Sequence, residues 1–342
     1  MAVLGYGLAG SVFHGPLIAA DPRMRVAAVV TSSAERAEQA RAAHPGVRVL
    51  ARADELFAAP EQADLVVIAT PPGSHVQLTH AALAAGLPVV VDKPFTPTAA
   101  QGAELVEAAQ KAGLLLSVFQ NRRWDGDFLT VRRLIESGRL GAVTRFESRF
   151  ERWRPVAKGG WRETGGAEEA AGLLYDLGSH LIDQALVLFG PVRSVYAETD
   201  IRRAGVSSDD DTFVALTHAN GVRSHLWMSA VTPQLGPRFR VLGQSAAFVK
   251  YGLDVQEDAL REGHRPGEAQ WGADVPDHYG VLGEGENLET LPTEPGAYES
   301  YYAGIAAALL DGAPVPVDPR EAVQALEVIE TARDDAAGRS AR

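Results

Sequence analysis

The chain opens with Gly5-Tyr6-Gly7-Leu8-Ala9-Gly10, directly behind the apolar run Ala2-Val3-Leu4 and ahead of a segment of helical spacing. Few local patterns restrict a backbone as tightly. In G-x-G-x-x-G the first glycine makes a tight turn, the second lets the main chain approach a pyrophosphate, and the third lets helix and strand pack closely. The helix N-terminus then offers free N–H groups and partial positive charge to phosphate. The same string also occurs as bare punctuation between a strand and a helix, so its meaning depends on the pattern in which it is set.

Here that pattern is a repeat of strand and crossover helix. Apolar runs at residues 2–4, 25–31, 65–70, 88–92 and 114–119 have strand length, and alanine-rich segments at 11–20, 34–43, 74–85 and 99–112 can return the chain to the same edge of a parallel sheet. Residues 1–121 are therefore expected to form a Rossmann-like, doubly wound parallel sheet, which favours dinucleotide binding for the glycine turn. Beyond about residue 140 the runs alternate, at 143–149, 194–201, 212–217 and 223–229, with Asn220-Gly221 predicted as a type I′ hairpin turn. This pattern predicts an α+β domain over 122–318 with a large, mostly antiparallel open sheet. One apolar helix is expected at 173–189, and loops at 158–172 and 257–287. A final helix begins at 319, and the segment 319–342 is expected to pack back toward the N-terminal domain. A length of 342 residues suits two domains of about 150.

Composition narrows the function classes. A net charge of −12 opposes binding to phosphate backbones or anionic lipid, so neither nucleic acid nor membrane is an expected partner. The absence of cysteine excludes disulfide scaffolds, zinc-thiolate sites and cysteine nucleophiles. The start of the chain carries no readable signal peptide, and its apolar runs fall far short of the roughly 20 residues of a membrane-spanning helix. A cytoplasmic location is expected.

Three further segments carry chemistry. At the end of the second strand stand Thr31, Ser32 and Ser33, with Arg36 one turn later, and the carboxylate that would bond a ribose and repel a 2′-phosphate is missing. Hydroxyl and guanidinium donors suit a phosphate, which favours NADP(H), with NAD(H) as the alternative. In the competing reading Ser32 or Ser33 only caps the next helix and Arg36 is a solvated side chain. Next, Asp92-Lys93-Pro94 places a lysine at the carboxyl end of a parallel strand, where ligands bind in open α/β sheets, although a strand ending in a polar Lys-Pro loop would read the same. Pro94 restricts Lys93 to an extended conformation and is a candidate for a cis bond. Finally, the helix at 173–189 contains no Lys, Arg or Glu but carries Asp176 and His180 four residues apart, one turn above the other. That stripe suits a partly enclosed cleft in which a histidine transfers protons near neutral pH. A satisfied core histidine is the competing reading.

These strings in this order resemble the glucose-fructose oxidoreductase, inositol dehydrogenase and rhizopine-catabolism (Gfo/Idh/MocA) family. The likeness is carried by residues 5–14 (GYGLAGSVFH), 92–94 (DKP), 117–124 (SVFQNRRW) and 174–180 (LYDLGSH). The last two strings are most similar to the branch of NADP-dependent scyllo-inositol dehydrogenases. The resemblance implies a Rossmann domain, a second domain whose open sheet forms a homodimer or homotetramer, and hydride transfer between nicotinamide and a secondary alcohol or ketone of a sugar or cyclitol. It implies Lys93 as the donor polarising the substrate oxygen, His180 as acid/base and Asp176 as an orienting group, with no metal. Asp92 stands where the family has a glutamate. Gly5, Tyr6, Gly7, Leu8, Gly10, Thr31, Ser32, Arg36, Thr70, Pro71, Pro72, His75, Asp92 and Lys93 are expected to border the cofactor. Asn121, Trp153 and Trp161 join Asp176 and His180 as substrate-pocket candidates; aromatic faces and donors between 152 and 162 suit a polyol or acidic sugar, or else form only an exposed strand end and loop. A nucleotide-sensing regulatory protein of the same architecture, binding NADP(H) without turnover, is the alternative; it would have no need of both Lys93 and His180.

Overall fold

The computed structural model describes residues 1–340 and divides into two units. The first comprises Met1–Asn121, Gln256–Trp271 and Ala297–Val323. The second comprises Arg122–Val255, Gly272–Gly296 and the remainder of the chain from Gln324. The expected contiguous stretch 122–318 is thus interrupted twice, and the final helix, Pro319–Ser340, begins in the first unit and continues in the second.

The first unit is built on six strands: β1 (Ala2–Leu4), β2 (Ala28–Val30), β3 (Arg48–Leu50), β4 (Val66–Ile68), β5 (Val89–Asp92) and β6 (Leu116–Phe119). All pair in parallel in the order β3-β2-β1-β4-β5-β6. β1, β2 and β4 are buried along their whole length, as strands covered on both faces must be. Strand order reverses direction between β1 and β4, which is where open α/β sheets form a crevice. β3 has no counterpart among the strands expected from sequence, because Arg48-Val49-Leu50 is short and only half-buried.

The second unit holds an eight-stranded sheet: β7 (Val143–Glu151), β8 (Val192–Asp200), β9 (Asp211–His218), β10 (Arg223–Ser229), β11 (Phe239–Gly243), β12 (Ala247–Lys250), β13 (Gly280–Glu284) and β14 (Asn287–Leu291). Its order is β14-β13-β12-β11-β7-β10-β9-β8, antiparallel throughout except for the β7–β10 pair. β9 alternates half-buried and buried residues along its length, and helix Ser179–Phe189 packs on the sheet through β7 and β10. Phe146, Phe189 and Phe239 meet there with ring centroids 5.4 and 5.6 Å apart.

Two local expectations need correction. The β9–β10 hairpin forms, but only Gly221 takes a positive φ (90°) and Asn220 does not, so the turn is not type I′. The Asn220 side chain instead accepts the Val222 N–H at 3.1 Å. Residues 257–287 are not one loop: they contribute to helix Gln256–Glu262 and strands β13 and β14. Their many glycines and charges lie largely in the turns between these short elements and mask the strand pattern.

Candidate functional site

In the first unit, the turns after β1, β4 and β5 leave the same edge of adjacent parallel strands. After β1 the main chain leaves no freedom at Gly5, whose φ is 89° and where a Cβ would lie 2.7 Å from the Ala69 carbonyl oxygen. A Cβ at Gly10 would lie 2.1 Å from the Gly5 carbonyl oxygen. Gly7 differs, because a Cβ there would meet only the Arg36 guanidinium, at 3.8 Å. Gly5 and Gly10 are thus required by the fold, whereas the open side of Gly7 faces a cation. The following segment, Ala9–His14, is π-helical, a rare geometry that concentrates at functional sites. Leu8 is exposed; the Tyr6 ring is buried edge-on to His44, so Tyr6 enters the turn through its backbone.

At the end of β2, Ser33 caps helix Ala34–Ala43 by accepting the Arg36 N–H at 3.3 Å, and its own N–H donates to Thr31 Oγ1. Capping therefore accounts for Ser33, while Ser32 and the Arg36 side chain are exposed. No carboxylate lies within 4 Å of the Arg36 guanidinium among the described residues. A glycine turn that no side chain fills, a helix beginning behind it and an uncompensated guanidinium beside it fit the phosphates of a dinucleotide.

The turn after β4 is braced internally. Thr70 Oγ1 and Ser74 Oγ are 2.7 Å apart, Ser74 Oγ donates to the Pro71 carbonyl, and Pro72 is buried. His75 is fully buried, with Nε2 2.8 Å from the Thr70 oxygen and Nδ1 3.1 Å from both the Pro94 and Phe95 oxygens. Burial holds its pKa below the usual value, against the pull of these carbonyls and Asp92. Its ring is wedged between the β4 turn and the β5 turn, where as a neutral imidazole it donates to one of them, and it is buried where the sequence placed it beside the cofactor.

After β5, the Lys93–Pro94 bond is cis. Asp92 Oδ1 accepts the Lys93 backbone N–H at 2.9 Å and lies 3.8 Å from His14 Nε2. Burial raises the Asp92 pKa, but His14, then Lys93 and His75, outweigh it and leave the carboxyl below its ordinary range. Lys93 is half-buried. Asn121, the last residue of this unit's first stretch, is buried.

The second unit carries Asp176 and His180. Gly172, with φ 94°, leaves room for Asp209, whose Oδ1 would be 1.9 Å from a Cβ at that position. Asp209 receives the backbone N–H groups of Leu173 and Leu174 at 2.9 and 2.8 Å, through its carbonyl and its carboxylate, and so closes the helix start. Its sequence signal is the run Asp209-Asp210-Asp211 leading into β9, which by itself looks only like a polar loop. The helix begins as a π segment, Leu174–Gly178, and becomes α-helical at Ser179, so Asp176 sits in the wide turn and His180 in the regular one. His180 is buried and Asp176 half-buried. Arg162 Nε lies 3.4 Å from Asp176 Oδ1, and its guanidinium stacks over Trp161 at 4.5 Å from the ring centroid. Trp161 thereby joins this group, while Trp153 is 55% exposed in an isolated bridge with Val231.

The helix is anchored one turn beyond His180. Arg123 forms a two-pronged pair with Asp183, Nε to Oδ2 at 2.8 Å and Nη2 to Oδ1 at 2.6 Å, and Gln184 Nε2 donates to the Arg122 carbonyl. Arg238, also buried, reaches Gln184 and Ser148 at 3.0 and 2.6 Å. Asp125 beside them is pushed well above its usual pKa by burial, which Arg122 only partly offsets. Lys93 belongs to the first unit, Asp176 and His180 to the second.

Two family models match the chain. Residues 1–120 match the family described as "Oxidoreductase family, NAD-binding Rossmann fold", and residues 132–340 match "Oxidoreductase family, C-terminal alpha/beta domain". The chain is 40% identical over 338 residues to scyllo-inositol 2-dehydrogenase (NADP(+)) IolW of Bacillus subtilis (strain 168), covering 98% of this chain and 92% of that one. Among solved structures, the oxidoreductase YvaA of Bacillus subtilis superposes with a TM-score of 0.91 at 38% identity, covering 99% of this chain and 97% of the other. An oxidoreductase from Bacillus cereus gives 0.89 at 29% identity, covering 98% and 96%. No helix among the described residues is long and apolar enough to cross a membrane.

Proposed function

The chain belongs to the Gfo/Idh/MocA oxidoreductase family, with its NAD-binding Rossmann domain, and from that premise we propose that it interconverts a secondary alcohol and a ketone on a cyclitol or sugar, using NADP(H). The observation that carries the reading is the shared edge of β1, β4 and β5: the glycine turn, the Thr70 turn and the Lys93 turn all leave it. The NADP(+) in the name of the Bacillus subtilis relative agrees with the uncompensated Arg36 beside Gly7.

In this reading Gly5, Gly7, Gly10 and the backbone of Tyr6 and Leu8 hold the pyrophosphate, while Thr31, Ser32 and Arg36 hold the 2′-phosphate. Thr70, Pro71 and Pro72 border the nucleotide. The bound nicotinamide supplies a hydride acceptor. Breaking the O–H bond of the alcohol needs a base and a donor for the developing oxyanion. His180 takes that proton on a ring nitrogen, and the Lys93 ammonium donates to the oxygen, where a fixed donor is worth most. Asp176 orients the substrate, with Trp161, Trp153 and Asn121 as further pocket candidates. The chain acts as a homodimer or homotetramer through the open face of the β7–β14 sheet, in the cytoplasm.

The test is absorbance at the reduced-nicotinamide band with inositols, aldoses and sugar acids, each offered with NADP⁺ and with NAD⁺. Turnover of an inositol with NADP⁺ is expected. Turnover with NAD⁺ alone overturns the cofactor assignment, and silence across the panel despite tight NADPH binding replaces the enzyme with a nucleotide sensor.

A further inference from the structure

Behind the Lys93 turn lies a buried histidine that hydride transfer does not use. His14 closes the π-helical segment after the glycine turn and is fully buried, packed against Phe119 with ring centroids 4.4 Å apart. Its Nδ1 lies 2.6 Å from the hydroxyl oxygen of Tyr302, also fully buried. Its Nε2 is buried, has no hydrogen-bond partner, and faces Asp92 Oδ1 at 3.8 Å. That same Oδ1 accepts the backbone N–H of Lys93.

The donors order themselves along this line. A neutral imidazole has one N–H and one acceptor nitrogen. Tyr302, whose pKa burial raises well above its usual value, stays protonated and donates to Nδ1. With Nδ1 taken by the Tyr302 hydroxyl, Nε2 is the ring nitrogen aimed at the Asp92 carboxylate. At 3.8 Å this is longer than a hydrogen bond and too short for an intervening water, so the gap is one that a small movement of the turn closes.

We propose that His14 is a positioning residue for Lys93: it fixes the carboxylate oxygen that caps the Lys93 backbone and thereby sets where the ammonium emerges from β5. The geometry also accounts for aspartate at position 92. A carboxylate one methylene longer could not cap its own neighbour's N–H from the same place while meeting a ring held rigidly by Tyr302 and Phe119. The assignment of Lys93 to turnover rests on the function proposed above, but the positioning itself does not.

The chain has only four lysines, Lys93, Lys111, Lys158 and Lys250, of which Lys250 is buried against Asp274, so few amines besides the N-terminus take a label. The full-length protein is reductively methylated with ¹³C-formaldehyde and its dimethyl-lysine NMR spectrum recorded, with the Lys93 signal identified by its loss in Lys93→Arg. In His14→Phe the Lys93 signal is expected to shift while the remaining signals stay in place, and His14→Gln, which keeps a donor, to return it part of the way. Under turnover, His14→Phe is expected to lower kcat at least tenfold with the Kd for NADPH unchanged. Should His14→Phe not fold, Tyr302→Phe removes only the hydroxyl that orders the ring and is read in the same way. A Lys93 signal unmoved in whichever of these variants folds overturns the proposal. A wild-type protein that turns over no substrate overturns the proposed function instead, and the Lys93 signal still decides the positioning.

Discussion

The two units place their polar groups by opposite means. In the first, the main chain does the placing: Gly5 and Gly10 sit where no Cβ fits, and His75 is wedged among carbonyl oxygens of the β4 and β5 turns. In the second, side-chain charges do it: Asp209 closes the helix start, and the buried Arg123–Asp183 pair holds the helix three residues beyond His180. Both helices nonetheless begin with a π-helical turn, Ala9–His14 and Leu174–Gly178. A site held by backbone sterics should fail when atoms are added, and one held by buried charge when a partner is removed.

The chemistry is the largest expected effect and tests whether both units contribute. Lys93→Ala and His180→Ala should each lower kcat by about 10²–10⁴-fold with the fold intact, the scale that the roles proposed for them require. Near-normal turnover in either variant would remove that residue from the mechanism.

Next comes Arg123→Ala, which removes the two-pronged pair from Asp183, a carboxylate whose side chain is 3% exposed. Breaking a buried pair on one side costs about 3–5 kcal/mol, read as a fall in Tm or in denaturant midpoint. Arg123→Lys should recover only part, because a single ammonium cannot reproduce the two-pronged contact. A loss below about 1 kcal/mol, the scale of a surface pair, would mean that the charge does not anchor the helix.

The glycines sharpen the contrast within one turn. Gly10→Ala forces a Cβ against the Gly5 carbonyl at 2.1 Å and should cost more than the ~1–3 kcal/mol of ordinary overpacking. Gly7→Ala meets only Arg36 at 3.8 Å, so stability should be nearly unchanged while NADPH affinity falls. Equal stability losses in the two variants would contradict the account of the turn.

Arg36→Ala should weaken NADPH binding by about 10–100-fold, the worth of a charged hydrogen bond to phosphate, and leave NADH binding where it was. Equal losses for both cofactors would move Arg36 from the 2′-phosphate to the shared pyrophosphate.

The smallest effect is one of pH. The folded-state pKa of His75 lies below its unfolded value of 6.5, so its contribution is fully present above that pH and declines as pH falls and the unfolded chain takes the proton. The stability difference between wild type and His75→Asn should therefore shrink below pH 6.5, and a difference that grows on acidification would show that the ring is held protonated.

The same contrast explains how much of the molecule is legible in its sequence. Backbone-imposed features leave local signatures, and so the glycine turn, the strand ends at Thr70 and Lys93 and helices Ala34–Ala43 and Ala99–Ala112 are all readable. Partners distant in the chain leave none. Nothing in the local pattern joins Arg123 to Asp183, His14 to Tyr302, or Gly172 to Asp209, and the π-helical turns have the composition of ordinary helix. The interleaving of 256–271 and 297–323 with the first unit is hidden for the same reason, because short elements separated by glycines carry no label of the unit they join.

The most direct test of the central claim is transfer of the carbon-bound hydrogen itself. Scyllo-inositol deuterated at carbon is incubated with the protein and NADP⁺, and the reduced cofactor is analysed by mass spectrometry. The account predicts deuterium in NADPH in wild type and its near-absence in Lys93→Ala and His180→Ala. Unlabelled NADPH, or label of equal yield in all three proteins, would contradict it.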